Sequence, residues 1–413
     1  MAGASRSILV LAILGATAAP GRADREVRLQ LEAGSEYDSN IRRLETGADE
    51  TDAVQAAPLL RGGTRLDLRW RRTPTQRLTI AGLGVAKLFT ERSAQDENVL
   101  AVTGDGRYDW MIEPRRAVLS GHAAHVETFH YDVGGPDAGG RNFAATTGEA
   151  LVTLVGPGSH RVTLSGGLRR FVYKPDADFD WIGDGWGARY RTVIWLGRRE
   201  LDADPGSVEP GDPEADSAER DALFADGGGE ASLELGFAYR LERRRYHGKA
   251  FTNACGAGEP PAPTCFMPTR LDRGDLAHVA TAELQYLGER IYGGRYELTV
   301  NDSNSFGQSL VRQRLTLSAT TPLPWRLFAT ATATVQLNTF LDPLLLARDV
   351  EAQTFTALDD ENRNAISLHL SRDLASEWTA EARWAFHSNE FATEELRFRR
   401  QTLYLGLVWR RRP

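Results

Sequence analysis

Three histidines fall close together and are the first candidates for chemistry. They are His122, His125 and His130. An imidazole can serve as a general base, but a nucleophilic partner must lie within hydrogen-bond reach. In a strand, His122 and His125 would point to opposite faces, whereas His125 and Glu127 would share one. No Ser or Asp partner can be placed by spacing. We therefore interpret them as surface or lumen side chains and expect no catalytic, cofactor-binding or metal-binding residues.

Arginines spaced two residues apart are the second candidates. Arg189 with Arg191, and Arg312 with Arg314, would share one face of a strand. Such pairs could attract an anionic solute or polymer, as charged rings do in pores. The alternative is mutual pairing with acidic side chains, since 49 Lys and Arg residues accompany 56 Asp and Glu residues. Both interpretations stay open.

Glycine pairs and the two cysteines point to architecture. Gly82/Gly84 and Gly104/Gly106 lie within predicted strands. We expect them to relieve crowding or bend the sheet rather than to cradle phosphate.

The cysteines close a short Gly/Pro-rich loop, NACGAGEPPAPTC, and are Cys255 and Cys265. In an oxidising compartment a loop-bracing disulfide is the favoured interpretation. A metal site would want more ligands at this spacing.

The N-terminal stretch has the form of a secretory signal peptide. Residues 1–23 contain Arg6, an apolar run from Ile8 to about Ala16, and small residues before Asp24. An N-terminal membrane anchor is the alternative, but the apolar run is short for it. We expect an exported mature chain of residues 24–413. The formal net charge of the full 413-residue sequence, −7, gives no sign of a nucleic-acid partner.

Alternation of apolar and polar residues recurs through that whole mature chain. In PWRLFATATATVQLNTF, residues 324–340, the odd positions from Trp325 to Leu337 are apolar and the even positions are mostly polar. This period of two predicts a strand with two different faces. About sixteen such segments can be placed, including 229–247, 274–289 and 325–340.

Short and long connections mostly alternate between these segments. RTPTQ, GPGS and TPLPW are short, whereas 38–59, 248–273 and 341–361 are long. Residues 200–228 break the rule with an acidic, Pro- and Gly-rich stretch. We interpret this stretch as a solvated periplasmic linker. A docking element or a segment folded into the lumen is the alternative.

A transmembrane antiparallel β-barrel of about sixteen strands, with roughly fourteen to eighteen compatible with the pattern, accounts for these features. Lipid offers no hydrogen bonds, so spanning strands must close into a sheet without edges. Aromatic residues near segment ends would form the interfacial girdle; they are Trp70, Tyr292, Trp325, Trp378 and Trp409. A soluble all-β protein with one wet face is the alternative.

The polar face of each strand should then line a water-filled lumen, since a packed core could not hold so many charges. The predicted pore-lining residues are Arg65, Arg69, Arg107, Arg189, Arg191, Arg295, Glu297, Arg312, Arg314, Thr330, Thr332, Thr334, Glu381 and Arg383.

Both ends of the mature chain carry short motifs that a known group of proteins shares. They are Tyr37-Asp38-Ser39-Asn40, Ser388-Asn389 and the closing Leu-Gly-Leu-Val-Trp that ends at Trp409. In these the chain resembles outer-membrane β-barrel porins, including those associated with exopolysaccharide export, and loosely the barrels of surface-lipoprotein assembly modifiers. One departure is that Trp409 is followed by Arg-Arg-Arg-Pro, which displaces the terminal aromatic residue that barrel-assembly machinery reads.

The resemblance implies a bacterial outer-membrane location and a passive conduit for an exported polysaccharide or polar solutes. The expected partners are the lipid bilayer, the barrel-assembly machinery and polysaccharide export proteins. The competing hypothesis is a non-conducting barrel that assembles or anchors surface proteins.

Overall fold

A computed structural model describes most of the region predicted to be the barrel. It covers residues 24–41, 55–113, 116–130, 142–174, 176–196, 231–254, 265–342, 364–388 and 399–411. The proposed signal peptide 1–23, the acidic stretch 200–228 and Cys255 lie outside these residues. Cys265 takes part in a disulfide, and its pairing with Cys255 stays a prediction.

Sixteen antiparallel strands close into one barrel, in which each strand pairs with its neighbours in sequence and β16 pairs with β1. The strands are β1 Asp24–Asp38, β2 Ala57–Thr73, β3 Gln76–Phe89, β4 Val99–Glu113, β5 Ala117–His130, β6 Phe143–Val155, β7 Arg161–Tyr173, β8 Trp181–Trp195, β9 Ser232–Asn253, β10 Phe266–Leu287, β11 Ile291–Ser303, β12 Leu310–Leu323, β13 Leu327–Phe340, β14 Asn364–Asp373, β15 Trp378–Ser388 and β16 Arg399–Arg411. The predicted fold class and strand number are confirmed.

Helical structure in the described chain is limited to short 3₁₀ turns, at Arg92–Glu97, Ala177–Phe179 and Pro324–Arg326. Among the residues with described positions, no helix has both the length and the apolar character needed to cross a membrane.

The two ends of the barrel differ in the connections they carry. One end, here called the turn end, carries tight links such as those between Thr73 and Gln76 and between Leu323 and Leu327. The other end, the loop end, carries the long links, for example that from Phe340 to Asn364. In barrels of this type the tight turns face the periplasm and the long loops face outside. The sorting predicted from the sequence is confirmed for the described strands.

The β9–β10 hairpin is taller than the sequence predicted. Both strands have 22 residues and reach Asn253 and Phe266 at the loop end, beyond the predicted segments 229–247 and 274–289. The reason is that Lys249, Phe251 and their partners keep pairing above the apolar alternation. Apolar and polar residues alternate only where a strand has lipid on one side and water on the other. The sequence pattern therefore did not predict the part of the hairpin that extends beyond the membrane.

Cross-strand partners show which residues share a face, because paired residues point to the same side of a sheet. In β13, Ala331 is paired with Ala319 and Leu368, whereas Thr332 is paired with Ser318 and Ser367. Large apolar side chains on the outer face are solvent-exposed in the isolated chain; examples are Leu31, Leu66, Leu164, Phe237, Leu317 and Leu405. A contiguous exposed apolar surface of this extent indicates contact with lipid.

The aromatic girdle predicted for the segment ends is present at the turn end. Trp378 is the first residue of β15 and is paired with Trp409 on β16, while Trp70 is paired with Arg25. Trp325 departs from its predicted place in the strand. It lies in the 3₁₀ turn with a φ of 65° and is 79% exposed, and β13 begins at Leu327.

Closure depends on close approach of β1 and β16. A Cβ at Gly34 would collide with the Leu405 carbonyl oxygen and the Tyr404 ring, and one at Gly406 would collide with the Tyr404 hydroxyl. Only glycine leaves space for this ring to lie flat across the seam. A small buried apolar cluster lies at the loop end and comprises Ile41, Ala57, Leu59, Phe89 and Ala94.

The two faces of β13 should respond oppositely to the same charge. Ala331→Arg places a cation against lipid and should destabilise the barrel by roughly 2–4 kcal/mol. Thr332→Arg, one residue along, should leave stability unchanged because its side chain meets lumen water. Urea unfolding in lipid vesicles, followed by tryptophan fluorescence, measures both. Equal destabilisation by the two substitutions would contradict the assignment of faces.

Candidate functional site: the lumen wall

The barrel places every predicted pore-lining residue on its inner face. Arg65 is paired with Gln30, Arg107 with His122, and Arg191 with Arg161, all on the side opposite the apolar belt. The remaining predicted positions follow the same register: Arg69, Arg189, Arg295, Glu297, Arg312, Arg314, Thr330, Thr332, Thr334, Glu381 and Arg383. These side chains do not form one site. The inner wall to which they belong contains three charged networks and one neutral sector, and several of the predicted arginines lie outside all four.

The seam network joins strands from both ends of the chain. Arg383 Nη1 donates to Glu32 Oε1 at 3.1 Å, and Arg61 Nε lies 3.3 Å from the same oxygen. Arg61 also reaches Glu36, which accepts from Lys87 Nζ at 3.0 Å. The network therefore alternates in sign across β15, β1, β2 and β3, so that each carboxylate lies between two cations.

Tyr404 lies between the two arginines of the seam network. The Arg61 and Arg383 guanidinium carbons stand 5.5 and 4.9 Å from its ring centroid, within cation–π range.

At the loop end of the same seam, Arg400 donates to both carboxylate oxygens of Asp38, with Nε–Oδ1 at 2.8 Å. The Arg400 and Asp38 side chains are 5% and 1% exposed. A bidentate pair of this kind holds the first and last strands in one register.

The central network crosses β4 to β9. His122 Nε2 lies 2.6 Å from Asp105 Oδ2, and its Nδ1 lies 3.9 Å from Glu149. Arg169 joins Glu149 to Glu242, each at 3.3 Å.

Glu242 is the most enclosed member of the central network, with 1% of its side chain exposed. Arg240 and Arg244 lie 2.8 and 2.7 Å from its oxygens, in addition to Arg169. One carboxylate thus holds three guanidinium groups against the wall.

The turn-side network tests the interpretation of the arginine pairs. Arg189 Nη2 donates to Glu283 Oε2 at 2.6 Å, and Arg295 contacts both Glu283 and Glu297. Glu297 is also in register with Arg314. Mutual pairing therefore describes Arg189 and Arg295.

Two predicted arginines have different surroundings. Arg191 is in register with Arg161, so two cations lie side by side on the wall. Arg312 donates from Nε to the uncharged Asn338 at 2.9 Å.

The neutral sector lies towards the turn end of β12 and β13, below Arg312 and Arg314, and continues onto β14, and it is lined by hydroxyl groups. Thr316 and Thr334 are 3.3 Å apart between hydroxyl oxygens, and Thr320 and Thr330 are 3.0 Å apart. Thr332 lies between Ser318 and Ser367 in one cross-strand row. This sector, here called the hydroxyl wall, presents donors and acceptors without net charge.

Sequence reasoning missed several residues that organise the wall. Asp38 and Arg400 are 362 positions apart, and no local signal links them. Glu242 and Arg244 could have been recognised, because they share the polar parity of β9 with the neighbouring positions. Their joint burial, however, follows from the approach of Arg169 on β7, which requires the register of three strands.

The structure also settles the roles of the histidines and the glycine pairs. His125 shares the outer face with Glu127, with Nε2 3.7 Å from Oε2, whereas His122 faces the lumen. This confirms the predicted arrangement. The crowding explanation for the glycines is wrong, because a Cβ at Gly82 or Gly104 would meet no heavy atom within 4 Å. Both face outwards into open space.

A closed barrel with an apolar outer belt, an aromatic girdle and a charged inner wall defines a transmembrane β-barrel of the bacterial outer membrane. No protein-family profile matches the chain, and no characterised protein sequence matches it.

Among solved structures, similar folds include OmpF of Salmonella typhi in complex with daunomycin. That match has 10% identity and a TM-score of 0.44 and covers 94% of this chain and 97% of the other. The anion-selective porin from Comamonas acidovorans has 9% identity and a TM-score of 0.39 over 94% and 100%. A bacterial polysaccharide outer membrane secretin has 9% identity and a TM-score of 0.39 over 94% and 98%. At these scores the likeness assigns neither family nor cargo.

Removal of the carboxylate that holds three arginines should be costly. Glu242→Gln leaves Arg169, Arg240 and Arg244 crowded together, and we expect a loss of roughly 3–5 kcal/mol, as for a broken buried ion pair. Glu297→Gln is the matched control. Its side chain is 24% exposed, so about 1 kcal/mol or less should be lost. Urea unfolding of both variants in lipid vesicles measures the change in the free energy of unfolding. Similar losses of stability in the two variants would contradict the central role of Glu242.

Proposed function

We propose that the barrel is a passive channel for polar, predominantly uncharged solutes, most concretely sugars or an exported polysaccharide. A barrel of sixteen strands encloses more space than its side chains fill, which leaves an aqueous lumen. Every strand whose register is described contributes polar or charged side chains to the inner wall, alongside apolar ones such as Leu83 on β3.

The hydroxyl wall is the observation that carries the proposal. A sugar gives up hydrogen bonds to water when it enters a pore, and Thr and Ser hydroxyls can replace these bonds as both donors and acceptors. They do so without the strong attraction that would trap a charged solute. Conduction requires binding that is favourable enough for entry and weak enough for release at successive sites. The row formed by Ser318, Thr332 and Ser367 supplies such weak sites side by side.

The charged networks support the same preference. Glu32, Glu242 and Glu283 each contact arginines within the wall, so many of the cations that a passing solute meets are offset by a carboxylate. This arrangement keeps the lumen hydrated and reduces the net positive field of the arginines. It therefore favours neutral cargo over the anionic cargo that unpaired arginines would suggest.

Two partners follow from the proposal. Export of a polymer would need periplasmic proteins that deliver it to the turn end, and the barrel-assembly machinery would insert the chain. Both remain proposals that rest on the barrel setting and on the resemblance described above.

Planar-bilayer recordings test the channel. Purified protein should give stable, ohmic conductance with only weak ion selectivity in a KCl gradient, because carboxylates offset many of the arginines of the wall. Absence of stable conductance would overturn the proposal and favour the non-conducting barrel that assembles or anchors surface proteins. A strongly anion-selective reversal potential would instead point to an anionic solute or polymer.

The hydroxyl wall itself can be tested by isosteric replacement. Thr330→Val, Thr332→Val and Thr334→Val together should weaken current block by a neutral oligosaccharide severalfold, because the sugar loses its hydrogen-bond partners, and should leave KCl conductance nearly unchanged. Thr163→Val, on the opposite wall, is the matched control and removes one hydroxyl that is paired with Thr153 at 2.9 Å. Equal block in the triple variant and the unchanged protein would mean that the hydroxyl wall does not contact the sugar.

A further inference from the structure

A basic cluster lies on the outer face of the barrel, where side chains are expected to meet lipid. It consists of Arg170 on β7 and of Arg243 and Arg245 on β9, all exposed. Arg170 and Arg245 are both in register with Ile182, so they flank it in one cross-strand row. Arg243 is two residues from Arg245 on the same face. We call these three residues the outer basic cluster.

The cluster lies at the boundary of the apolar belt near the loop end. Trp186, which is 66% exposed, is paired with Leu241 directly below Arg243. Below it follow Tyr239 and Phe237, whose side chains belong to the belt. Tryptophan prefers the level of lipid headgroups. The arginines therefore stand at or just above the headgroups of the outer leaflet.

The acidic groups near the cluster leave it with net positive charge. Asp184 is paired with Arg243, and its Oδ1 lies 4.0 Å from Arg245 Nη2. Glu127, further round the same face, accepts from Lys174 at 2.6 Å. Asp272 accepts from Lys249, higher on the same strand pair. Asp302 shares a cross-strand row with Arg243 but lies two strands away, beyond Leu276. Of these carboxylates, Asp184 is the one directly paired with the cluster, and 63% of the Arg245 side chain is exposed.

A groove in the outer wall lies beneath the cluster. Its volume is about 460 Å³, and its lining includes alanines between larger side chains. Ala280 lies between Tyr239 and Leu298 in one cross-strand row, and Ala282 lies between Phe237 and Tyr296 in the next. The tyrosine hydroxyls are directed to polar partners at the rim, with Tyr239 Oη 2.7 Å from His278 Nδ1. The floor of the groove is consequently apolar.

We propose that this face binds a phosphorylated lipid of the outer leaflet, with a phosphate on the outer basic cluster and one acyl chain in the groove. The cluster and the groove share β9, and Arg243 lies four residues above Tyr239, or about 13 Å along the strand. Arginine forks match phosphate oxygens in bidentate geometry. An amphiphile with an anionic head and a long apolar chain satisfies both halves of the surface. A second copy of the barrel would satisfy only the groove, because it would leave the arginines unmatched.

Native mass spectrometry of the purified full-length protein, titrated with bisphosphorylated lipid A, tests the proposal. The triple variant Arg170→Gln, Arg243→Gln, Arg245→Gln should weaken binding roughly tenfold or more. Asp184→Asn, which removes the neighbouring carboxylate, should tighten it. Lys249→Gln, which removes a single positive charge higher on the same column of β9, is the control and should change binding little. Equal affinity of the triple variant and the unchanged protein would overturn the phosphate assignment.

The groove is tested separately. Ala280→Trp fills it and should weaken binding of the same lipid about fivefold, whereas Ala331→Trp, on the lipid-facing side of β13, should not. If Ala280→Trp instead disrupts an oligomer of the barrel and leaves lipid binding unchanged, the groove is a contact between copies and the proposal fails. Channel conductance should be the same in all these variants, so the outcome does not depend on the proposed transport function.

Discussion

The structure depends on one constraint, which is that hydrocarbon cannot hydrogen-bond to the backbone. Each strand of this chain must therefore pair on both edges, and β1 must meet β16, from Leu29 opposite Arg411 to Asp38 opposite Thr402. Once the barrel is closed, each strand residue faces either the lipid outside or the lumen inside. The apolar set meets lipid, and the polar set meets the enclosed water. Adjacent residues such as Ala331 and Thr332 therefore differ in polarity, because one faces lipid and the other faces the lumen.

Enclosure also explains how the inner wall handles its charges. A carboxylate as buried as that of Glu242 is not fully hydrated, and burying a charge without a partner is costly. Its charge is therefore balanced by arginines on its own strand and on β7. The seam, central and turn-side networks all solve this problem with carboxylates shared between guanidinium groups. Towards the turn end of β12 and β13, below Arg312 and Arg314, and on β14, threonine and serine supply much of the polarity of the wall. The proposed channel for polar, uncharged solutes rests on this hydroxyl-lined stretch beside charges that neighbouring side chains offset.

The outer wall is not a uniform apolar surface. The tall β9–β10 hairpin continues past the belt, which brings Arg243 and Arg245 to the level of headgroups while Phe237 and Tyr239 remain below. The same strand thus carries a lumen network on its even positions and a lipid-directed column on its odd positions. Transport and lipid contact can share these elements because a strand separates its two faces completely. Substitutions on one face should accordingly leave the other undisturbed.

The sequence by itself determined the features that depend on the alternation of apolar and polar residues along each strand. Strand positions, inner and outer faces, the opposite directions of His122 and His125, and the inward parity of Arg189 or Thr332 all follow from a period of two. The sorting of turns and loops follows from the lengths of the connections. That signal is local, so it failed where alternation stops, as at Trp325 and in the upper half of β9. Only the tertiary structure decided the partners. Asp38 meets Arg400 across 362 positions, and Glu242 gathers arginines from two strands. The register between strands, together with closure, sets those distances, and no short stretch of residues contains it.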